Sequence, residues 1–228
     1  MGTALDTVGM KKQHKFFDRH LDNDLKSLSN YLLDIQEKVF SENIFNISEE
    51  MLVEYKKHRM GALTQLGIDK YNIFTFASPE IYNLKIALKE LTIEACNYYD
   101  IDFESQKYLI HGWFNADKPT ANNGKYGGVN PIKNPRHFHD HSNGLGAPWF
   151  HGYYCVDAEP SSTFYQIDRD PEKIFENVNK NNRAILSETG HPHGRDDWFF
   201  DQQRITIAYD ITPMSKLIGV KPNIWMPL

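Results

Sequence analysis

The stretch "QQRITIAYDI", residues 202–211, indicates what kind of fold this 228-residue chain adopts. Apolar and polar residues alternate along it. In an extended strand, Ile205 and Ile207 therefore lie on one face while Arg204 and Thr206 lie on the other. This alternation predicts a β-strand with one face in an apolar core.

Similar short segments occur throughout the second half of the chain. They are rich in aromatic and β-branched residues and are separated by Gly, Pro, Asn and Asp, which is typical of an antiparallel sandwich or barrel. The segments are "KYLIHGWFN" (107–115), "HGYYCV" (151–156), "STFYQI" (162–167) and "RAILSE" (183–188). After the first of them, residues 116–135 consist largely of turn-forming residues, and a loop of that length is usually functional. We expect this loop to act as a lid over a substrate.

The first hundred residues have a different pattern, in which apolar residues recur three and four positions apart. This spacing predicts amphipathic helices over residues 21–39, 48–67 and 78–99. Ser78 and Pro79 are a typical N-cap and first helical residue for the third helix. The sequence therefore predicts one domain over residues 1–228, with a mainly helical part at 1–100 and a β-rich core at 101–228.

Composition and charge exclude several classes of protein. The net charge of −5 and the pI near 6.0 do not favour a general nucleic-acid binder. Cys96 and Cys155 lie far apart, which suits a reducing compartment, and no apolar run approaches the length of a membrane span. We expect a cytoplasmic protein without a membrane partner. The sequence leaves its oligomeric state open, with a homodimer among the alternatives.

Six of the ten histidines fall within residues 137–193, and several are spaced two apart. Because residues two apart in a strand point to the same side, His139 and either His141 or His137 are able to bind one metal ion together. The pair His191 and His193 is the best source of a further ligand. Imidazole suits Fe, Zn, Cu or Ni. The alternative is that these are surface histidines near turns.

Arg204 and Thr206 follow the second histidine pair on the predicted strand. A guanidinium group with a hydroxyl two residues away is well suited to hold a carboxylate. Taken alone, an arginine at a strand end is more readily explained by solvation or by an ion pair, but the histidine pair shortly before it makes Arg204 a candidate anchor for a cosubstrate.

Together these segments resemble the iron(II)/2-oxoglutarate-dependent dioxygenases, most closely the prolyl-hydroxylase-like branch. The resemblance covers roughly residues 78–212. Its motifs are Trp113-Phe-Asn115, His139-Asp-His141, the "HGYYCV" strand, and His193 followed by "RITIAYDI". His193 precedes Arg204 by eleven residues, the interval typical of the family between its distal histidine and its 2-oxoglutarate arginine. His191 would give thirteen, so His193 is preferred.

The resemblance implies a mainly β fold with N-terminal helices: a double-stranded β-helix, which is a jelly-roll or cupin-like barrel, braced by the helices. It also implies Fe(II), 2-oxoglutarate and O2 as cofactor and cosubstrates. The expected reaction is hydroxylation of an unactivated C–H bond with release of succinate and CO2. The substrate, whether a small molecule or a peptide, is not identified by the sequence.

The resemblance also assigns roles to individual residues. The implied metal ligands are His139, His141 and His193, and the implied 2-oxoglutarate contacts are Arg204, Thr206, Tyr154 and Asn115. Three further residues near the first histidine pair are expected to support the metal or contact the substrate: His151, Trp113 and His137. An ordinary structural role for His151 is an equal alternative.

The first histidine pair departs from the family pattern, which is usually His-x-Asp. Three interpretations compete: an all-histidine site with His141, a bulge that turns Asp140 toward the metal, and a shift of the pair to His137 and His139. Strand alternation favours the first without further assumptions.

Two other functions compete with this one. A three-histidine cupin dioxygenase needs no keto acid and fits His-x-His, but the acidic residue expected after that pair is missing from "SNGLGAPW" (142–149). A non-catalytic β-sandwich binding module would use the histidines for structural zinc or not at all.

Overall fold

The computed structural model describes residues 12–50, 52–53, 70–117, 138–141, 148–196, 198, 200–217 and 224–228. Within these ranges, nine strands form two antiparallel sheets, and two α-helices pack against the larger sheet. The chain is mainly β, as the sequence predicts.

Each α-helix begins at a residue whose side chain accepts a hydrogen bond from the first turn. Asp24 caps α1 (Leu25–Ser41), and Ser78 caps α2 (Pro79–Tyr98), which confirms the predicted start of that helix. The apolar stripes of both helices are buried. Of the second predicted helix, residues 49–50 and 52–53 are helical, and most of the remainder lies outside the described residues.

The strands in chain order are β1 (Phe17–His20), β2 (Tyr108–Asp117), β3 (Phe150–Asp157), β4 (Ser162–Gln166), β5 (Ile174–Val178), β6 (Arg183–Glu188), β7 (His193–Arg195), β8 (Arg204–Pro213) and β9 (Met226–Pro227). The larger sheet has the order β1-β6-β3-β8-β2-β9, and the smaller sheet has the order β5-β4-β7. All neighbouring strands are antiparallel.

The five segments predicted as strands are confirmed as β2, β3, β4, β6 and β8. The sequence did not predict β5 and β7, and β1 lies in the part expected to be mainly helical. Of the expected lid, residues 116–117 belong to β2, and the rest lies outside the described residues, as does His137.

The two faces of the larger sheet differ in what covers them. Phe114 and Tyr154 belong to the core formed with the helices. Tyr153 and Cys155 point the other way and pack with Tyr165 of the smaller sheet. The order of layers is therefore helices, larger sheet, smaller sheet.

The face toward the smaller sheet also holds the polar residues of β8. Alternation places Arg204, Thr206 and Asp210 on this face, and all three are buried. Among the described residues, no strand pairing joins the two sheets. The candidate site lies on this inner face.

Candidate metal centre

Backbone pairing brings the two predicted histidine segments together. His139 and His193 form an isolated antiparallel bridge with two hydrogen bonds, from His139 N to His193 O at 3.0 Å and from His193 N to His139 O at 2.8 Å. His193 begins β7 and is 8% exposed, because β4 and the larger sheet cover it. The main chain itself therefore holds these two imidazoles side by side.

The three histidines expected to bind metal converge. His139, His141 and His193 each offer a ring nitrogen, and these three atoms lie within 4.8 Å of one another. His139 is exposed, His141 is partly buried and His193 is buried. The cluster is thus anchored in the protein on one side and open on the other.

Asp210 lies behind the histidines and was not singled out from the sequence. Its Oδ1 is 2.9 Å from Nδ1 of His141 and 2.9 Å from Nδ1 of His151, and its Oδ2 is 3.1 Å from Nδ1 of His141. His151 of β3 and Asp210 of β8 are direct register partners, which places both side chains on the same face. The alternation that located Arg204 and Thr206 also puts Asp210 on that face.

These contacts determine which ring nitrogens are available to a metal. A carboxylate accepts hydrogen bonds, so Nδ1 of His141 and Nδ1 of His151 carry the protons, and Nε2 of each ring keeps its lone pair. His193 also forms a hydrogen bond with the backbone of His191. A second partner that fixes the tautomer in this way is a regular feature of metal-binding histidines.

The electrostatics of the cluster favour neutral imidazoles around one charged pair. Burial lowers the pKa of His193 well below its ordinary value and lowers that of His151 to about 4. The pKa of His139, whose ring is covered on the side of the cluster, is also lowered, by this partial burial and by the neighbouring His141. For His141, burial acts in the same direction, but the attraction of Asp210 outweighs it and the pKa is raised. Burial would raise the pKa of Asp210, yet His141 and His151 hold it well below its usual range.

A second histidine group, His14, Glu188 and His191, has a different character. Oε1 of Glu188 lies 3.2 Å from Nδ1 of His14 and 3.4 Å from Nε2 of His191. The backbone N–H of Asp168 donates to Nδ1 of His191 at 2.9 Å, so the proton of neutral His191 lies on Nε2. The three side chains also lie close enough to hold a metal ion, but with the Nδ1 lone pair engaged and Nε2 protonated His191 takes part here in hydrogen bonds. This group is a hydrogen-bonded network that joins residue 14 to the turn before β7.

The predicted carboxylate clamp lies on the same inner face as Asp210. Arg204 is 4% exposed, and its Nε donates to Ser161 Oγ at 3.2 Å. The nearest carboxylate oxygen, Asp117 Oδ2, is 4.0 Å from Nη1 of Arg204, which is too long for a hydrogen bond. Asn115 of β2 is the register partner of Thr206, so both share this face with Arg204.

Tyr154 is not where the resemblance places it. It points toward the helices, and its hydroxyl donates to Asn182 and accepts from Asn23. The tyrosine beside the centre is Tyr165 of β4, which packs with Tyr153 on the inner face: its ring centroid is 5.6 Å from that of His193. The Tyr165 hydroxyl is buried without a hydrogen-bond partner among the described residues. The structure therefore does not bring Tyr154 together with Arg204 and Thr206, because its side chain is on the opposite face of the sheet.

The remaining predicted residues fall on either side of the centre. Asp140 pairs with Arg169 at 2.7 Å and does not belong to any of the groups able to hold a metal among the described residues. Trp113 stacks on His141, with ring centroids 5.7 Å apart. His151, with its ring centroid 4.4 Å from that of His193, lies inside the cluster.

Comparison with known proteins adds little to this geometry. No family model matches the chain, and no curated protein sequence matches it. Among solved structures, one similar chain is a nickel complex of the non-heme monooxygenase ThoJ, with 8% identity and a TM-score of 0.34. The match covers 47% of this chain and 45% of that one, so it extends over less than half of either. This similarity is too weak to determine a fold or an activity.

Among the described residues, no helix has both the length and the apolar character needed to cross a membrane.

Proposed function

We propose that the protein is a cytoplasmic non-heme iron(II) oxygenase that uses 2-oxoglutarate to hydroxylate an unactivated C–H bond of a small molecule or peptide. The observation that supports this best is the convergence of the His139, His141 and His193 ring nitrogens within 4.8 Å. Two antiparallel sheets facing each other around these residues are consistent with a double-stranded β-helix.

The donor set suits a first-row transition metal. Imidazole is a borderline ligand that binds Fe, Zn, Cu and Ni, and burial keeps His193 in the neutral form that coordinates. When bound, ferrous iron would supply O2 activation coupled to decarboxylation of 2-oxoglutarate. Asp210 would keep Nε2 of His141 free for the ion, and His151 would act with Asp210 beside it.

The inner face of the larger sheet offers a place for the far carboxylate of 2-oxoglutarate. Arg204 is buried and has only one hydrogen bond within the described residues, at Nε, so its terminal nitrogens are able to hold a carboxylate. Thr206 adds a hydroxyl donor on the same face. The Tyr165 hydroxyl, which has no hydrogen-bond partner among the described residues, would be a third donor in the role expected of Tyr154.

The open side of the cluster is the proposed side for the substrate. His139 is exposed there, and Trp113 stacks on His141 at the edge of the centre. The protein's share of the reaction is to orient the substrate against this side while the sheets exclude water from the other.

A second candidate function is a three-histidine dioxygenase that does not use 2-oxoglutarate. One observation favours it: the three converging side chains are all imidazoles, and Asp210 bonds to Nδ1 of two histidines from behind. Under this alternative Arg204 has no cosubstrate to bind.

An anaerobic titration of the protein with Fe(II) and then 2-oxoglutarate distinguishes these functions. We expect a weak visible absorption band when the keto acid chelates the iron. Arg204→Gln should still bind iron but need a much higher 2-oxoglutarate concentration for the band. Arg183→Gln is the matched control, since it removes an arginine that pairs with Asp18 at 3.0 Å on the far edge of the larger sheet.

Two other outcomes would favour other functions. Iron binding without a band would favour the three-histidine dioxygenase. Absence of iron binding in the folded wild type would favour a binding module and overturn the proposal.

A further inference from the structure

The turn after β4 has a strained backbone. Asp168 and Arg169 have φ angles of 54° and 59°, in the left-handed region that residues with a Cβ rarely adopt. Two such residues in succession persist only where the surroundings hold them. The contacts of this turn show what holds it.

Three interactions connect these two residues to the segments that contain the histidines. Nη2 of Arg169 lies 2.7 Å from Oδ2 of Asp140, and its Nε donates to the carbonyl oxygen of Gly190 at 3.3 Å. The backbone N–H of Asp168 donates to Nδ1 of His191 at 2.9 Å. One guanidinium group therefore bridges the residue between His139 and His141 and the turn that leads into His193.

The position of Asp140 makes this bridge relevant to the metal centre. In an extended segment, consecutive side chains point to opposite sides, so a contact that fixes Asp140 on one side directs both neighbouring histidines to the other. The Asp140 side chain is only 7% exposed, whereas that of Arg169 is 53% exposed. The buried carboxylate is thus held by a charge-assisted hydrogen bond from an arginine that is itself half-exposed.

We propose that Arg169 is a positioning residue for the metal centre: through Asp140 and Gly190 it fixes the two histidine segments relative to each other. This inference rests on the proposed metal centre. It gives Asp140 a role that is not that of a ligand, and it accounts for the strained turn as the geometry that brings the guanidinium group to both segments.

Binding of Co(II), used as a spectroscopic substitute for Fe(II), tests the inference in Arg169→Gln, in Asp140→Asn and in the double variant. We expect each single variant to bind Co(II) about fivefold more weakly, because an ion pair with one exposed partner is a modest interaction. The double variant should lose no more than either single variant, since both remove the same pair. The visible Co(II) spectrum should change along with the affinity.

Two further variants separate positioning from general stability. Arg169→Lys retains a charge able to reach Asp140 and should recover most of the affinity. Arg183→Gln removes the ion pair with Asp18 at the far edge and should leave Co(II) binding unchanged. Asp140→Asn leaves the strained turn intact, so it tests the pair even where Arg169→Gln does not fold.

The outcomes distinguish this inference from the proposed function. A wild type that binds no Co(II) or Fe(II) would overturn the metal centre, and the role of Arg169 with it. A wild type that binds Co(II), with unchanged affinity in Asp140→Asn and Arg169→Gln, would overturn only the positioning role. Additive losses in the double variant would show that the two residues act separately, which also overturns it.

Discussion

His151 and Asp210 face each other across β3 and β8, with Nδ1 of the imidazole 2.9 Å from a carboxylate oxygen. The same oxygen lies 2.9 Å from Nδ1 of His141. One buried carboxylate thus sets the tautomer of two neighbouring histidines, and their Nε2 atoms remain able to bind a metal.

Asp210→Asn should weaken Fe(II) or Co(II) binding about 10- to 100-fold, the usual effect of losing such a partner. The amide has only one oxygen to accept hydrogen bonds, and its NH2 group would face an imidazole N–H. Isothermal titration of the metal-free protein measures the loss.

Asp18→Asn is the matched control for that variant. It removes a carboxylate that pairs with Arg183 at 3.0 Å on β1, outside the candidate site. Its metal affinity should equal that of the wild type. Equal affinity in Asp210→Asn would show that this carboxylate does not orient ligands.

Tyr165→Phe should change protein stability and 2-oxoglutarate binding in opposite directions. The Tyr165 hydroxyl is buried without a partner among the described residues, so its removal should raise the free energy of unfolding by about 1 kcal/mol. If the hydroxyl binds 2-oxoglutarate, the same variant should require a higher 2-oxoglutarate concentration for half-saturation. Denaturant unfolding and the visible band measure the two effects.

Tyr153→Phe is the comparison for that experiment. Its hydroxyl donates to Asn179 at 2.9 Å and accepts from Asn177 at 3.2 Å. Its removal leaves the buried Asn177 amide N–H without this acceptor, while Asn179 Oδ1 still accepts from Thr163, and should lower stability by about 1–3 kcal/mol. A loss of stability in both variants would mean that the Tyr165 hydroxyl has a partner.

Local patterns in the sequence were enough to predict many of the helices and strands. The capping residue Ser78 and the apolar stripe of α2 lie within one segment, and each predicted strand has its own alternation. The strand β7 has only three residues, His193–Arg195, and is defined by pairing with β4 rather than by a pattern of its own. Such an element is not visible before the partner strand is known.

The candidate site could be predicted only in part for the same reason. Alternation along β8 placed Arg204 and Thr206 correctly on one face. The contact between Asp210 and His151 joins residues 59 apart, so it depends on strand pairing. The sequence does not show which of the adjacent Tyr153 and Tyr154 faces the helices. The structure puts Tyr154 on that side and Tyr153 on the inner face.

Glu188 should make stability depend on pH in the acid range. Burial acts to raise its pKa, but its hydrogen bonds with His14 and His191 outweigh this and lower the pKa to about 2, from an ordinary value of 4.5. As the pH falls below 4.5, the unfolded chain takes up a proton that the folded protein does not accept until about pH 2, so stability falls across this range.

Glu188→Gln should therefore be less stable than the wild type near neutral pH, with a smaller decline between pH 4.5 and 2. Denaturant unfolding at a series of pH values measures this difference. Glu90→Gln on the solvent side of α2, where the side chain is 55% exposed, should leave the slope unchanged. If the free energy of unfolding of Glu188→Gln and of the wild type falls in parallel between pH 4.5 and 2, the hydrogen bonds of Glu188 with His14 and His191 do not lower its pKa.

Gly152 allows β3 to approach β6 closely beside the candidate site. A Cβ at this position would lie 1.9 Å from the carbonyl oxygen of Ile185 and 2.6 Å from the Tyr209 ring. A backbone atom has little freedom to move, so Gly152→Ala should lower the free energy of unfolding by about 3 kcal/mol or more. The displaced strand would also move His151 away from Asp210, and metal affinity should fall in any protein that still folds.

Gly112→Ala on β2 is the comparison variant, in which a milder effect is expected. A Cβ at this position would first meet side-chain atoms, Phe74 Cε2 at 2.5 Å and Ile73 Cγ2 at 2.9 Å. Side chains are able to adjust more than a carbonyl oxygen, so this variant should be destabilised less. Urea unfolding of both variants decides the order. If Gly152→Ala is as stable as Gly112→Ala, β3 and β6 are able to move apart without a further loss of stability. The short distance between those two strands would then be no constraint on the position of His151.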